Sequence, residues 1–274
     1  MLPNFYSLID SGQRLMGKSR SAVRAAFYIR NQCNRVLRSY VGGDPDPERN
    51  GEVWLARQVA PTISNFIDVG ANVGNWAALV WAQQSAARGI LLEPAASALT
   101  VLSARFGANP CASIIDAAAG AHEGVAEFFE DPGAGETSSL FVNHAPDGSI
   151  RREVRVVTLD SICRELQLEV VDLLKIDAEG YDFNVLRGAE GLLMQRRVGV
   201  VQFEYNLPWA NAGGTLAAAL DLFHRAGYKV YALKGAGIHP FEYARLGEFF
   251  DYANFIALSP KASEQFASLI GSPL

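Results

Sequence analysis

The sequence predicts an α/β protein built on a mostly parallel sheet with helices on both faces. Two observations carry this. From Asn65 onward, short continuous apolar runs alternate with helical patterns, as in sheets buried on both sides. The first run, FIDVG, passes directly into ANVGNWAALV, a strand, a glycine turn and a helix. In such a sheet the ligand lies at the carboxyl ends of the strands.

Residues 1–49 precede this pattern and read as a basic helical arm with a hinge. Between Ser11 and Gly43 stand seven basic residues, Arg14, Lys18, Arg20, Arg24, Arg30, Arg35 and Arg38, and no acid. Ile29, Cys33, Val36, Leu37 and Tyr40 recur at helical spacing. The helix is expected to pack this apolar stripe on the domain. The alternative is contact with an anionic lipid or glycan surface. GGDPDPERNG is a turn-rich hinge into a domain spanning 50–274.

In that domain GEVWLARQVA reads as a helix. FIDVG, GILLEP and ASIIDAAAG read as strands, with helices over Asn75–Ala87 and Ala95–Phe106 between them. GVAEFFE and REVRVVTLD are strands flanking a loop from Glu130 to Ile150, and Asp160 is expected to cap the short helix SICRELQL. VDLLKIDAEG, VGVVQFEYN, YKVYAL and NFIAL complete the strands. FNVLRGAEGLLMQ and TLAAALDLFHRAG supply the helices among them.

A chain of 274 residues with net charge −5 gives no reason to expect nucleic acid as a partner. Its three cysteines form no metal or disulfide pattern and fit a reducing cytoplasm. The start, MLPNFYSLID, lacks a signal-peptide pattern, and no run of about 18 apolar residues predicts a membrane span.

The glycine turn decides between cofactors. A dinucleotide site needs G-x-G-x-x-G. Here Asn72 stands at the middle glycine, between Gly70 and Gly74, and Asp68 lies in the strand below. A carboxylate there opposes a pyrophosphate but suits the cationic S-adenosylmethionine. Asp68 is assigned to its ammonium, Gly70 to Gly74 to its methionine part, Glu93 to the ribose diol and Asp116 to the adenine amino group. An NAD(P)-linked oxidoreductase is the competing reading, and a non-catalytic binding protein a third.

At the next strand end, Lys175, Asp177 and Glu179 share one side by the period of two. Methyl transfer to an alcohol needs a base or a metal. Asp177 is the candidate base, assisted by Glu204. Asp177, Glu179 and Glu204 are the candidate ligands for a divalent metal, and Lys175 is expected to pair with a carboxylate. His239, in KGAGIHPFEY, is the alternative base in a late loop. His122, His144 and His224 read as ordinary surface histidines. Trp209 or Tyr205 can stack on a sugar face or pack in the core.

FIDVGANVGNW, LLEP, VVTLDSI, VDLLKIDAEGYDFNVLRGAEGLL and VVQFEYN together resemble the FkbM-type S-adenosylmethionine-dependent methyltransferases, from about Asn50 to Leu258. Ser138 to Leu140 also resembles that family. The resemblance implies a Rossmann-like class I methyltransferase fold with seven strands, the last antiparallel. It implies O-methylation of a sugar, glycan or other natural product. The family often has Glu where this chain has Asp182, whose shorter side chain argues against a direct catalytic role.

Overall fold

Apolar runs buried on both faces set the central strands. The computed structural model describes residues 5–131 and 148–274. His144 and Ser138 to Leu140 lie outside the described residues. The arm and hinge form α1 (Phe5–Gly17), α2 (Arg20–Tyr40) and α3 (Pro47–Asn50), and α4 (Glu52–Val59) leads into the sheet. Then come β1 (Asn65–Val69), α5 (Asn75–Gln83), β2 (Arg88–Leu92), α6 (Ala96–Phe106) and β3 (Ala112–Ile115).

Three strands leave the main sheet at this point. β4 (Ala118–Ala119), β5 (Gly124–Glu130) and β6 (Ile150–Val157) form a small sheet of their own, in the order β4-β6-β5. The chain returns through α7 (Leu159–Glu165), β7 (Val171–Ile176), α8 (Asp182–Arg187), α9 (Glu190–Met194), β8 (Val198–Tyr205) and α10 (Leu216–Ala226). It closes with β9 (Lys229–Lys234), β10 (Gly237–His239), α11 (Tyr243–Leu246), β11 (Ala253–Leu258) and α12 (Pro260–Gln265).

The main sheet has eight strands in the order β10-β9-β11-β8-β7-β1-β2-β3. From β3 to β8 every pairing is parallel. β11 runs antiparallel to both β8 and β9. Seven strands and one antiparallel insertion therefore match the expectation. The eighth, β10, is a short hairpin return on β9. It forms because the chain turns at Gly235, which has φ 56°, so KGAGIH is an edge hairpin and not a lid loop.

The strand order reverses at β1: β2 and β3 extend to one side, β7 and β8 to the other. Such a switch point opens a crevice at the strand ends. Asp172 pins the opposite ends, accepting hydrogen bonds from the amides of Ser64 (2.8 Å) and Asn65 (3.0 Å). The faces bury separate cores. Ile67, Val69, Ile90 and Leu92 join α7 to α10 on one side. Phe66, Leu91 and Leu173 join α4 and α5 on the other.

Two expectations are corrected. The cap of α7 is Thr158, whose hydroxyl accepts from the Ser161 amide at 3.1 Å. Asp160 instead accepts from the amides of Gly191 and Leu192, each at 2.9 Å, and ties α7 to the first turn of α9. Helix α2 buries no residue, so its apolar stripe does not pack on the domain. Only the following Val41 is fully buried. From the hinge, Pro45 and Pro47 line the cavity described next.

Candidate active site

A cavity of about 460 Å³ opens where β1, β2, β7 and β8 end. The turn after β1 forms its floor. Gly70 (φ 73°), Asn72 (φ 48°) and Gly74 (φ 80°) all take the left-handed conformation. Glycine is required at 70, because a Cβ there would overlap the carbonyl oxygen of Asp177. At Gly74 a Cβ would come within 2.5 Å of the Phe106 ring and 2.7 Å of Leu102, so α5 starts tight against α6.

Glu93 holds the turn from the end of β2. Its carboxylate accepts from the amides of Asn72 (2.8 Å) and Ala95 (2.7 Å) and lines the cavity. Burial pushes its pKa up to about 7, against the pull of those amides. Asp68, directly beneath the turn, is fully buried, and neither of its oxygens has a hydrogen-bond partner among the described residues. Its pKa rises to about 6, because burial outweighs Lys175. Lys175 is its register partner across β1 and β7, with Nζ 4.0 Å from Oδ1.

Lys175 Nζ also lies 2.8 Å from Oδ2 of Asp177. Burial opposes the ammonium charge, but Asp177, Asp68 and Glu52 outweigh it and hold the pKa above the usual lysine range. The expected pairing of Lys175 is therefore present, with Asp177 as its near partner. Asp177 itself is about one-third exposed and lines the cavity. Glu204, on β8, reaches the same cavity and accepts from the side-chain Nδ2 of Asn206 at 2.5 Å. Burial, then the charges of Asp177, Asp182 and Glu179, push its pKa well above the ordinary carboxylate value. Glu179 (φ 48°) lines the cavity too. Among the described residues no group of three or more His, Cys, Asp or Glu is placed to hold a metal ion. The set Asp177, Glu179 and Glu204 is thus not gathered as a metal reading requires.

Asp182 lies behind this wall, fully buried. It accepts from the amides of Gly180 (3.2 Å) and Glu204 (3.4 Å), and so fastens the turn after β7 to β8. Burial and then the nearby Asp177 charge raise its pKa to about 8. Its role is positioning.

Two assigned residues stand elsewhere. Asp116 is exposed and does not line the cavity, whereas Ala117, Ala118 and Ala119 do. The amide of Ala117 bonds back to the carbonyl of Ile115 at 3.0 Å, a tight turn that leaves Asp116 facing outward. His239 sits on β10, three strands away from β8, with Nδ1 2.9 Å from the Ser272 carbonyl. It does not line the cavity. Trp209 and Tyr205 are both fully buried, with ring centroids 5.1 Å apart, so both are core and neither offers a face to a sugar.

Sequence reasoning missed the far wall. Glu52 on α4 is buried and accepts from Asn50 (2.8 Å), Asn254 (3.0 Å) and the Tyr252 hydroxyl (3.4 Å). Glu52, Tyr252 and Phe128 of the small sheet all line the cavity. Glu52 and Tyr252 meet from chain positions 200 apart, and no local spacing signals that.

Residues 68–230 match the methyltransferase FkbM domain. The chain belongs to the FkbM methyltransferase family. Its sheet, with a seven-strand core and one antiparallel strand, is the class I methyltransferase fold. Among solved structures this FkbM protein is similar to a methyltransferase FkbM from Methylobacillus flagellatus KT, at 14% identity and TM-score 0.45 over 70% of this chain. The match spans only 43% of that chain. It is also similar to a precorrin-6y C5,15-methyltransferase from Geobacter metallireducens GS-15 (14% identity, TM-score 0.39, 76% of this chain and 88% of that one). A third similar structure is a putative O-methyltransferase from Klebsiella pneumoniae (11% identity, TM-score 0.41, 76% and 79%). No curated protein matches the chain.

Membership implies S-adenosylmethionine as the cofactor, and the residues present fit it. Asn72 and Trp76 line the cavity, and Oδ1 of Asn72 and the indole N–H of Trp76 have no hydrogen-bond partner among the described residues. The Asp68 oxygens are likewise unpartnered, but Asp68 lies beneath the lining and does not itself line the cavity. A buried carboxylate directly under the turn also weighs against a pyrophosphate.

A pH dependence follows from Glu93. A ribose diol donates to a carboxylate, so binding favours its ionised form. With the pKa near 7, affinity for S-adenosylhomocysteine is greatest above pH 7. It should fall by up to about tenfold per pH unit below it, with proton release on binding. Calorimetry in buffers of different ionisation enthalpy reads both. Affinity flat from pH 5.5 to 8 would show that Glu93 does not accept from the ligand.

Proposed function

We propose that this enzyme transfers the methyl group of S-adenosylmethionine to a hydroxyl oxygen of an uncharged, polyhydroxylated acceptor, a sugar or glycan above all. The observation that carries the reading is Asp177, a carboxylate held against the buried ammonium of Lys175 at the cavity wall. A hydroxyl nucleophile must lose its proton as the carbon–oxygen bond forms, and Asp177 is a charged acceptor for it. Glu204, whose pKa burial and the neighbouring carboxylates raise, lines the same cavity and is placed to hydrogen-bond and orient the acceptor.

Glu93, Asn72 and the Gly70 turn would hold the cofactor, with Asp68 compensating its cationic end. When bound, it supplies an electrophilic methyl on a sulfonium. The chain's own residues then align, orient and deprotonate. The acceptor side of the cavity carries Glu52, Asp177 and Glu179 against one lysine. That charge favours neutral acceptors over phosphorylated or acidic ones. It argues against a nucleic-acid acceptor on the same ground. The free thiols of Cys33, Cys111 and Cys163 fit a reducing cytoplasm.

Incubation with labelled methyl donor and a panel of neutral and acidic saccharides, followed by mapping of the methylated atom, tests this. Label on a hydroxyl oxygen of a neutral sugar supports the reading. Label only on nitrogen or carbon, or only on acidic acceptors, overturns it.

A further inference from the structure

Helix α2 does not line the cavity and buries none of its residues, yet its sequence is strongly two-sided. At 100° per residue, Ile29, Cys33, Val36, Leu37 and Tyr40 share one face, and Arg20, Arg24, Arg35 and Arg38 the opposite one. Over 21 residues the helix is about 30 Å long. Ile29 is 61% exposed and Val36 69%. Leaving such a stripe in water is unfavourable, and no described residue buries Ile29, Val36 or Leu37.

We propose that α2 is an interfacial helix that seats the enzyme on an anionic phospholipid bilayer. Basic amphipathic helices lie in the plane of such surfaces with the apolar face among the acyl chains and the arginines at the headgroups. Charge decides between occupants. From Ser11 to Gly43 the chain holds seven cations and no acid, so a second copy packed on the apolar stripe would cover it but leave both arginine faces without a counter-charge. A polyanion such as RNA would satisfy the arginines but leave Ile29, Val36 and Leu37 in water. An anionic bilayer satisfies both faces. The chain as a whole is acidic, net charge −5, so a bilayer would repel the rest and hold the arm alone. No described helix is long and apolar enough to cross a membrane, so the contact is peripheral.

The seat would also orient the cavity. Arg38, at the end of α2, is 3.5 Å from Asp251 and lies over the ring of Tyr252, which lines the cavity. Lys234 Nζ holds the Tyr40 carbonyl at 2.9 Å. The chain then passes through buried Val41 to Pro45 and Pro47 in the cavity wall.

Co-sedimentation of the full chain with vesicles tests the proposal, and it does not depend on the acceptor assigned above. The expected result is binding to phosphatidylcholine vesicles containing phosphatidylglycerol, but not to phosphatidylcholine alone. Binding should weaken steeply as salt shortens the screening length. Two sets of exposed substitutions separate the faces. Arg20→Gln, Arg24→Gln and Arg35→Gln together should lower partitioning by about 100-fold, at roughly fivefold per arginine. Ile29→Ser with Val36→Ser should also release the protein, with thermal unfolding unchanged. Absence of binding to either vesicle, or equal binding to both, overturns the proposal. So does a response to the arginine set alone, which describes a polyanion-binding helix. So does a concentration-dependent dimer that the serine pair converts to monomer.

Discussion

Replacing Asp177 by asparagine should lower kcat by about 10²- to 10⁴-fold, the usual worth of a positioned base, while S-adenosylhomocysteine binds nearly as before. The side chain keeps its shape and loses its charge. Lys175 keeps Asp68 at 4.0 Å and the field of Glu52, so the buried ammonium is not left alone. Glu204→Gln gives the contrast. If burial keeps Glu204 neutral and donating, the amide reproduces most of that, and the loss should be about tenfold, near the worth of one hydrogen bond. Single-turnover rates with both variants read the difference. A larger loss for Glu204→Gln would reverse the two roles. Near-normal turnover of Asp177→Asn with intact cofactor binding would remove Asp177 from the chemistry.

The main sheet was readable because its strands are short apolar runs between turn residues, a pattern both faces of a parallel sheet impose locally. Most strands and helices of the domain fall where periodicity puts them, from FIDVG at β1 to NFIAL at β11. The exceptions have local causes. KGAGIH turns at Gly235 into β10 instead of forming a lid. Thr158 takes the cap of α7 because its hydroxyl precedes the helix, while Asp160 is already in the first turn. The arm is the reverse case. Its periodicity predicts the helix, but nothing in α2 itself tells whether a surface exists to receive it, and here none does.

At the site, residues on strand ends were legible and those brought by distant segments were not. Asp68, Gly70, Asn72, Glu93, Asp177 and Glu204 gather because parallel strands end on one edge. Asp116 obeys the same rule in sequence, yet the bond from Ala117 to Ile115 turns it out. Glu52 and Tyr252 join the wall through a network of asparagines that only the folded chain assembles. Trp209 shows the limit for aromatics: composition cannot say whether a ring faces a ligand or, as here, Tyr205 and Phe203.

Gly70→Ala should be the most damaging single methyl group. The residue sits at φ 73°, which costs an L-residue about 1–2 kcal/mol. Its new Cβ would also meet the carbonyl of Asp177, an overpacking worth about 1–3 kcal/mol. Neither side can yield easily. The Gly70 amide is bonded to Leu92 of β2 at 3.0 Å, and the Asp177 amide to Val69 of β1 at 3.0 Å. Together these predict a drop in Tm of roughly 5–15 °C. The chemical consequence separates this change from Asp177→Asn. A turn displaced by about 1 Å misplaces ligand and base together, so S-adenosylhomocysteine affinity should fall about tenfold or more and kcat with it. Gly74→Ala is the control. It meets the side chains of Phe106 and Leu102 and no backbone, so it should cost stability with less effect on turnover. Unchanged ligand affinity in Gly70→Ala would mean that the turn does not hold the cofactor. Lost affinity and turnover together would mean that the turn beneath the ligand and the strand end bearing the base act as one rigid unit, locked where Gly70 touches Asp177.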